Sequence, residues 1–402
     1  MTTTLTPPAT TLPGLDPEIV ARATALVPLI REHATEGAEN RKISPEVVAA
    51  LDESELLRIF LPARLGGLDV SMHTALETIA EVARGDGATA WVLTLLSSGT
   101  AFGATWNDQA QEEIWGADPR AKLSGTFQPT PDVKRVDGGY VISGRWPYSS
   151  GSFAATWASL GMLVEVDDPT ENPVALAHIP ASDFTIEDSW YVTGMKGTGS
   201  DTIVVDNAFV PDHRIQRLTG MFAGDFATSH KEDRIARVPF GSVAALILAA
   251  PQLGLARHAL EIVRQSIVGK PILYTKYTQG RLSPTHQLAV ADAATKINLA
   301  GLLLAQSADD VDRVVEAGVP FDLEDKARIR NNTGVIAELC KDAINLLLTA
   351  AGSGSFAEAN VLSRIWRDSE TAARHALVTS ALGREAYGAV LLGDPEPALT
   401  SL

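Results

Sequence analysis

One cysteine, Cys340, stands in a chain of 402 residues. A single thiol excludes an internal disulfide framework and a cysteine-based metal site. It lies inside the helical pattern Val335–Thr349, where a small buried residue fits. Basic residues are also scarce: 33 Lys and Arg face 49 Asp and Glu, for a formal net charge of −16. Nucleic acid and anionic membrane both demand clustered Lys and Arg, so neither is expected as a partner. Charged residues make up only 20%, below the roughly 25% of ordinary soluble domains. That shortfall suits a chain whose surface is partly covered by other subunits. No apolar stretch reads as long enough to span a membrane. No basic residue and no long apolar run occurs in Met1–Pro13, so this Thr- and Pro-rich stretch reads as an unfolded leader, not a signal peptide. A cytoplasmic setting follows. Walker, Rossmann and Gly-x-Ser-x-Gly patterns are absent. His33, His73, His178, His230, His258 and His286 lack metal-ligand spacing, so no metal site is expected.

Hydrophobic residues reach 45%, ample for a large interior, and this length favours two or three packed domains. Residues 1–15 form the expected leader. Residues 16–118 read as helices: Val47–Leu57 repeats apolar positions three and four apart behind the cap and first-turn pair Ser44-Pro45. Ala88 to Trp106 is apolar nearly all round, which predicts a buried helix. Residues 119–218 break into short β-rich runs around Tyr140–Ile142, Trp157–Val166, Val174–Ile179 and Thr202–Val205. Asp137-Gly138 marks a hairpin, and such spacing predicts an antiparallel barrel or sandwich. Residues 219–402 return to long helical patterns, with the lengths of a four-helix bundle.

Several segments are built for chemistry. In Asp188–Arg214, Gly194, Gly197 and Gly199 precede an apolar strand; such glycines permit positive φ and close approach of a flat ligand. Ser143-Gly-Arg-Trp-Pro-Tyr-Ser-Ser-Gly151 is a strand end kinked at Pro147 and Gly151. The kink is expected to expose Trp146, Tyr148, Ser149, Ser150 and Ser152, offering an aromatic face beside hydroxyls. An ordinary hairpin end accounts for the segment as well. Arg364-Ile-Trp-Arg-Asp-Ser-Glu-Thr-Ala-Ala-Arg-His375 sets an Arg-Asp pair before a histidine suited to proton transfer near neutral pH. The loop Ala351-Gly-Ser-Gly-Ser-Phe356 offers amides to a phosphate or ring edge. Lys270, Lys276 and Arg281 offer positive charge, though solvated basic turns explain them equally. Trp91, in Asp86-Gly-Ala-Thr-Ala-Trp, reads as core or as pocket wall.

Taken in order, Leu61-Pro-Ala-Arg-Leu-Gly-Gly67, the Ser143–Gly151 kink, the Gly-rich loop ending at Pro211, and Trp366-Arg-Asp368 with His375 resemble the acyl-CoA dehydrogenase superfamily. More closely, they resemble its flavin-dependent monooxygenase branch, the oxygenase components of two-component aromatic hydroxylases. The resemblance covers nearly the whole chain after residue 15. It implies an α+β fold: an N-terminal helical domain, a central antiparallel β-barrel or sandwich and a C-terminal four-helix bundle. It implies reduced FMN or FAD supplied by a separate flavin reductase, with O2 adding at the flavin C4a. The resulting hydroperoxide passes one oxygen to an aromatic or polycyclic small molecule, and the assembly is a homotetramer. His375 then faces the C4a side and Ser150 the N5 edge. Trp91, Gly125, Thr126, Phe127, Trp146, Tyr148, Ser149, Lys270, Ser353 and Gly354 become the further cofactor contacts.

The match has departures. Leu123–Pro131 reads as a short loop without the Ser-Glu-Pro signature of the dehydrogenases. Phe153-Ala-Ala155 and Glu370 stand where many phenol hydroxylases of the branch carry histidines. N- or S-oxygenation, as in amino-sugar nitrososynthases, therefore stays open. So does an acyl-CoA dehydrogenase, whose base would be Glu358, and a non-catalytic flavin-binding scaffold.

Overall fold

The computed structural model describes residues 14–130, 132–168, 171–394 and 396–399. Of the expected leader, residues 1–13 lie outside the described set. The chain opens with helices α1 (Pro17–Glu39), α2 (Pro45–Glu53), α3 (Met72–Ala83), α4 (Gly87–Gly103) and α5 (Asp108–Trp115). Their starts follow capping chemistry. Asp16, Ser44, Ser71, Asp86 and Asn107 each turn a side-chain oxygen onto an amide of the first turn. Helix α4 is wrapped on nearly every side, as its uniform apolarity requires.

Strands follow: β1 (Leu123–Thr130), β2 (Val133–Val136), β3 (Gly139–Trp146), β4 (Trp157–Leu163), β5 (Val174–Pro180), β6 (Phe184–Glu187), β7 (Thr202–Pro211) and β8 (Ile215–Arg217). They form two sheets, ordered β1-β4-β5-β8 and β2-β3-β7-β6. Ile142, Trp146, Leu160, Met162, Ile203 and Val205 fill the space between them. The result is a sandwich, not a closed barrel. Two expectations are corrected. Leu123–Thr130, read as a loop, is strand β1, because its backbone pairs along β4. That pairing is parallel, whereas the other described ladders are antiparallel. The β2–β3 hairpin carries the chain over to the second sheet, and β4 returns beside β1 in the same direction.

The remaining helices are α6 (Leu218–Ala223), α7 (Phe240–Leu246), α8 (Ala250–Ser266), α9 (Pro284–Ala317), α10 (Leu323–Ala351), α11 (Val361–Ala372) and α12 (Ser380–Leu391). Helix α10 is the hub of the bundle, packing against α8, α9 and α12. A further correction concerns apolar length. Phe240–Ser266, where α7 runs through a tight turn into α8, and α9 are each long and apolar enough to cross a membrane by length and composition. In the first, Arg257, Glu261 and Arg264 gather toward the C-terminal end, and in the second Asp292 and Lys296 interrupt the apolar run. Phe240–Ser266 is mostly buried inside the protein, while α9 is mostly uncovered, with Leu288, Leu299 and Leu302 exposed.

Candidate functional site

Helix α4 is the spine of the site. Trp91, Leu95, Ser98 and Phe102, at helical spacing, form a stripe along one face of the helix, buried except for half-buried Leu95, with half-buried Gly99 beside it. From Trp91 to Phe102 the stripe rises through 11 residue steps, hence roughly 16 Å at the usual rise. At one end, the Trp91 and His375 rings meet edge-on, 5.9 Å apart. At the other, Phe102 meets Phe240 of α7 at 4.8 Å, with Phe127 of β1 5.9 Å from the same ring. Between the ends, α4 presses on the sandwich. A Cβ on Gly99 would fall 2.6 Å from the Leu123 carbonyl, and one on Gly151 would fall 2.9 Å from the Leu96 side chain. Trp91, His375, the Gly125–Phe127 strand and the Ser150 kink are thus gathered around one helix.

The kink differs from the sequence expectation. Trp146, Ser149, Ser150 and Ser152 are buried, and only Tyr148 is exposed. Trp146 ends β3 on the same side as Ile142, so its ring enters the sandwich core. Its Nε1 donates to the Gly161 carbonyl at 2.8 Å. It offers no face to a ligand. Ser149 Oγ donates to the Trp146 carbonyl. Tyr148 sits at φ +63°, which turns its ring outward, edge-on to Trp190 at 5.8 Å.

The Gly-rich loop and the Arg-Asp motif, 173 residues apart in sequence, lock together. The Met195 amide donates to Asp368 at 2.6 Å. A Cβ on Gly194 would lie 2.0 Å from the Arg367 carbonyl, so only glycine allows this approach. Met195 itself sits at φ +57°. Its carbonyl accepts from Trp190 Nε1 at 2.9 Å and from Thr198 Oγ1 at 2.9 Å. Thr198 Oγ1 lies 2.7 Å from Ser200 Oγ, and Ser200 Oγ lies 2.6 Å from Ser150 Oγ. Asp368 borders a cavity of about 20 Å³ lined also by Asp86, Lys196, Arg364 and Arg367, room for a water molecule. Burial first, and the Asp86 charge second, raise the Asp368 pKa to about 7, against the pull of the Met195 amide, Arg364 and Arg367.

His375 lies in the turn after α11. Its Nδ1 accepts from the Leu377 amide at 3.2 Å, so the neutral ring carries its proton on Nε2. His375 is an exposed residue, though protein, Trp91 included, buries part of its ring. This burial, then the Arg330 charge, holds its pKa down to about 4. The expectation of a pKa near neutrality is therefore corrected. Arg330 is buried; one of its nitrogens donates to the Ala376 carbonyl at 2.6 Å, while Nε and Nη1 lack a partner among the described residues.

Lys270, Ser353 and Gly354 form a separate, exposed cluster. Lys270 Nζ reaches the Ala351 carbonyl at 3.3 Å, and nothing lies within 4 Å of a Cβ placed on Gly354. Glu358 is exposed before α11. His73 pairs with Asp309, His213 with Glu113, and His178 stacks on Trp106. Among the described residues no group of His, Cys, Asp or Glu could hold a metal ion. Cys340 is buried, which pushes its thiol up to about 12. Sequence reasoning passed over Thr198, Ser200, Phe240 and Arg330. Hydroxyls at alternate positions 198 and 200 of a Gly-rich loop were the available signal for the first two.

Comparison with known proteins adds to this geometry. The family model described as the acyl-CoA dehydrogenase N-terminal domain matches residues 22–115, and that of the C-terminal domain matches residues 246–380. The chain is 30% identical to the flavin-dependent monooxygenase oxygenase subunit HsaA of Rhodococcus jostii (strain RHA1), over 93% of this chain and 98% of that one. It is 28% identical to the p-hydroxyphenylacetate 3-hydroxylase oxygenase component of Acinetobacter baumannii, over 93% and 89%. Among solved structures, XiaF from a Streptomyces species, in complex with FADH2 and glycerol, superposes with a TM-score of 0.90 at 30% identity, covering 96% of this chain and 97% of that one.

Proposed function

The chain belongs to the flavin-dependent monooxygenase oxygenase components of the acyl-CoA dehydrogenase superfamily, and from that premise we propose that the cleft along α4 is where it works on an aromatic or polycyclic small molecule. Reduced FMN or FAD, delivered by a flavin reductase, supplies the electrons with which O2 is activated and one oxygen atom is transferred. The residues suit that cofactor. Trp91 with His375 at one end of α4, and Phe127 with Phe240 at the other, would offer apolar ring surface to a flat cofactor. Ser150 and the backbone of Gly125 and Thr126 provide polar contacts at its edge. Arg330 holds two nitrogens without a partner among the described residues, close enough to His375 to shift its pKa.

His375 is neutral at working pH, with an unprotonated Nδ1 engaged by the Leu377 amide. Its Nε2–H then serves as a hydrogen-bond donor beside Trp91 and holds a proton for the reacting oxygen. Trp91 and Phe102 keep water away. The exposed cluster of Lys270, Ser353 and Gly354 would offer a cation and backbone amides to the flavin phosphate at the outer end of the site. Phe153 packs against Gly199 and Glu370 pairs with Arg374, so phenol activation by histidines at those two positions is unavailable; oxidation of nitrogen or sulfur is the second reading, favoured by that observation. The chain assembles as a homotetramer through the uncovered apolar face of α9, beside a groove of about 330 Å³ between α3, α8 and α9. It works in the cytoplasm, where a reduced thiol such as Cys340 is at home.

The meeting of Trp91, His375 and Ser150 around α4 carries this reading. The test supplies the protein with a flavin reductase, NADH, FMN or FAD and isotopically labelled O2, against phenols, indoles, thioethers and amines. Label in one product supports it. Flavin reoxidation without labelled product, together with bleaching of bound flavin by acyl-CoA, would sink it in favour of a dehydrogenase.

A further inference from the structure

The hydroxyls of Thr198, Ser200 and Ser150 form a chain with only one allowed direction. The Met195 carbonyl has no proton, so the 2.9 Å contact with Thr198 Oγ1 uses the Thr198 proton. Thr198 Oγ1 has then nothing left to donate. The 2.7 Å contact with Ser200 Oγ must use the Ser200 proton, and the 2.6 Å contact between Ser200 and Ser150 must use that of Ser150. Each hydroxyl carries a single proton, so the count closes without choice. All three residues are buried, which leaves bulk water no role in reversing it. The terminus is fixed as well: Asp368 and Trp190 hold Met195 from both sides of its peptide. Hydrogen bonds aligned head to tail strengthen one another.

From this we infer that Thr198 and Ser200 are positioning residues that make Ser150 Oγ an obligate hydrogen-bond acceptor and so select the reduced form of the flavin. The inference rests on the reading that Ser150 meets the flavin N5 edge. Reduced flavin carries a hydrogen on N5 and donates; oxidised flavin presents a bare N5 and must accept. An acceptor-only Ser150 matches the first and opposes the second. The direction of this chain, set some three residues away from the ring, thereby contributes redox selectivity that Ser150 alone, with a freely turning hydroxyl, would lack.

The test measures affinity for FMN and for anaerobically reduced FMN, by ultrafiltration, on the wild-type protein and on three variants. Wild type should bind reduced FMN more tightly. Thr198→Val is nearly isosteric and removes only the anchor, so Ser200 and Ser150 can reverse. The ratio of the two affinities should narrow about three- to tenfold, the worth of one hydrogen bond. Thr198→Ser, which keeps the anchor, should retain the wild-type ratio; a merely structural role would not separate these two by the redox state of the ligand. Ser150→Ala should also narrow the ratio. If Ser150→Ala narrows it and folded Thr198→Val does not, the positioning role is wrong while the Ser150 contact stands. If Ser150→Ala changes neither affinity, the Ser150 contact itself is wrong and the inference falls with it. Should Thr198→Val fail to fold, Ser200→Ala frees Ser150 in the same sense and replaces it. Equal affinity of wild type for both forms overturns the proposal without any variant.

Discussion

The two ends of the proposed cofactor site are built in opposite ways. At the inner end, around Ser150, every hydroxyl is paired and buried, and Gly194 and Gly199 are pinned by backbone or ring atoms that a Cβ would strike at 2.0 and 2.5 Å. At the outer end, Lys270, Ser353 and Gly354 are exposed, and Gly352 and Gly354 have open space where a Cβ would go. One chain is enough to preorganise the first. The second is a surface waiting for something to lie on it, either the ligand or another copy. Rigidity belongs where the chemistry needs a fixed direction, and looseness where a cofactor must enter and leave.

This contrast can be broken most severely at Gly194. Gly194→Ala drives a methyl into the Arg367 carbonyl and should cost on the order of 3 kcal/mol, read by urea denaturation. A wild-type midpoint would mean that the loop and α11 are not rigidly joined. Next in size is His375→Asn, which should lower labelled product roughly a hundredfold while flavin reoxidation continues; unchanged coupling of the two removes His375 from the proton path.

The acid behind the inner end gives a smaller effect with a definite sign. Asp368 has a folded pKa raised from 3.8 to about 7. Its native form therefore keeps a proton that the unfolded chain gives up. Its contribution to stability is complete below about pH 4 and is lost as pH rises through about 7. The slope is at most about 1.4 kcal/mol per pH unit. Comparing thermal midpoints of wild type and Asp368→Asn from pH 4 to 8 should show this decline in the wild type alone. Equal slopes would deny the shift. Smallest is the outer end: Gly354→Ala and Lys270→Ala should each leave stability within about 0.5 kcal/mol. Lys270→Ala should still weaken FMN binding at low salt, by roughly a factor of five, as loss of one phosphate cation implies. No change in binding would leave Lys270 as a solvated turn.

Much of the fold was legible from local chemistry. Ser44-Pro45 begins α2, and Asp137-Gly138 closes the β2–β3 hairpin with Val136 opposite Gly139. The strand β1 was not, because Gly125 and Pro129 inside it read as loop residues; its pairing with β4 is a tertiary fact. The inward turn of Trp146 could have been read, since it lies an even number of residues from Ile142 on one strand. The motifs at 194–199 and 366–368 were visible one at a time. That they interlock was not, because no local period spans that separation, and neither was the direction of the hydroxyl chain, which depends on one carbonyl being held in place.

The fit of Gly194 under the Arg367 carbonyl bears on engineering. A designer who grafts the sandwich of a relative onto this bundle, to borrow another substrate range, must carry α11 along with the Gly-rich loop. Exchanged singly, each half would meet a stranger's contour, and the chimera would misassemble at its hinge before any question of catalysis arose.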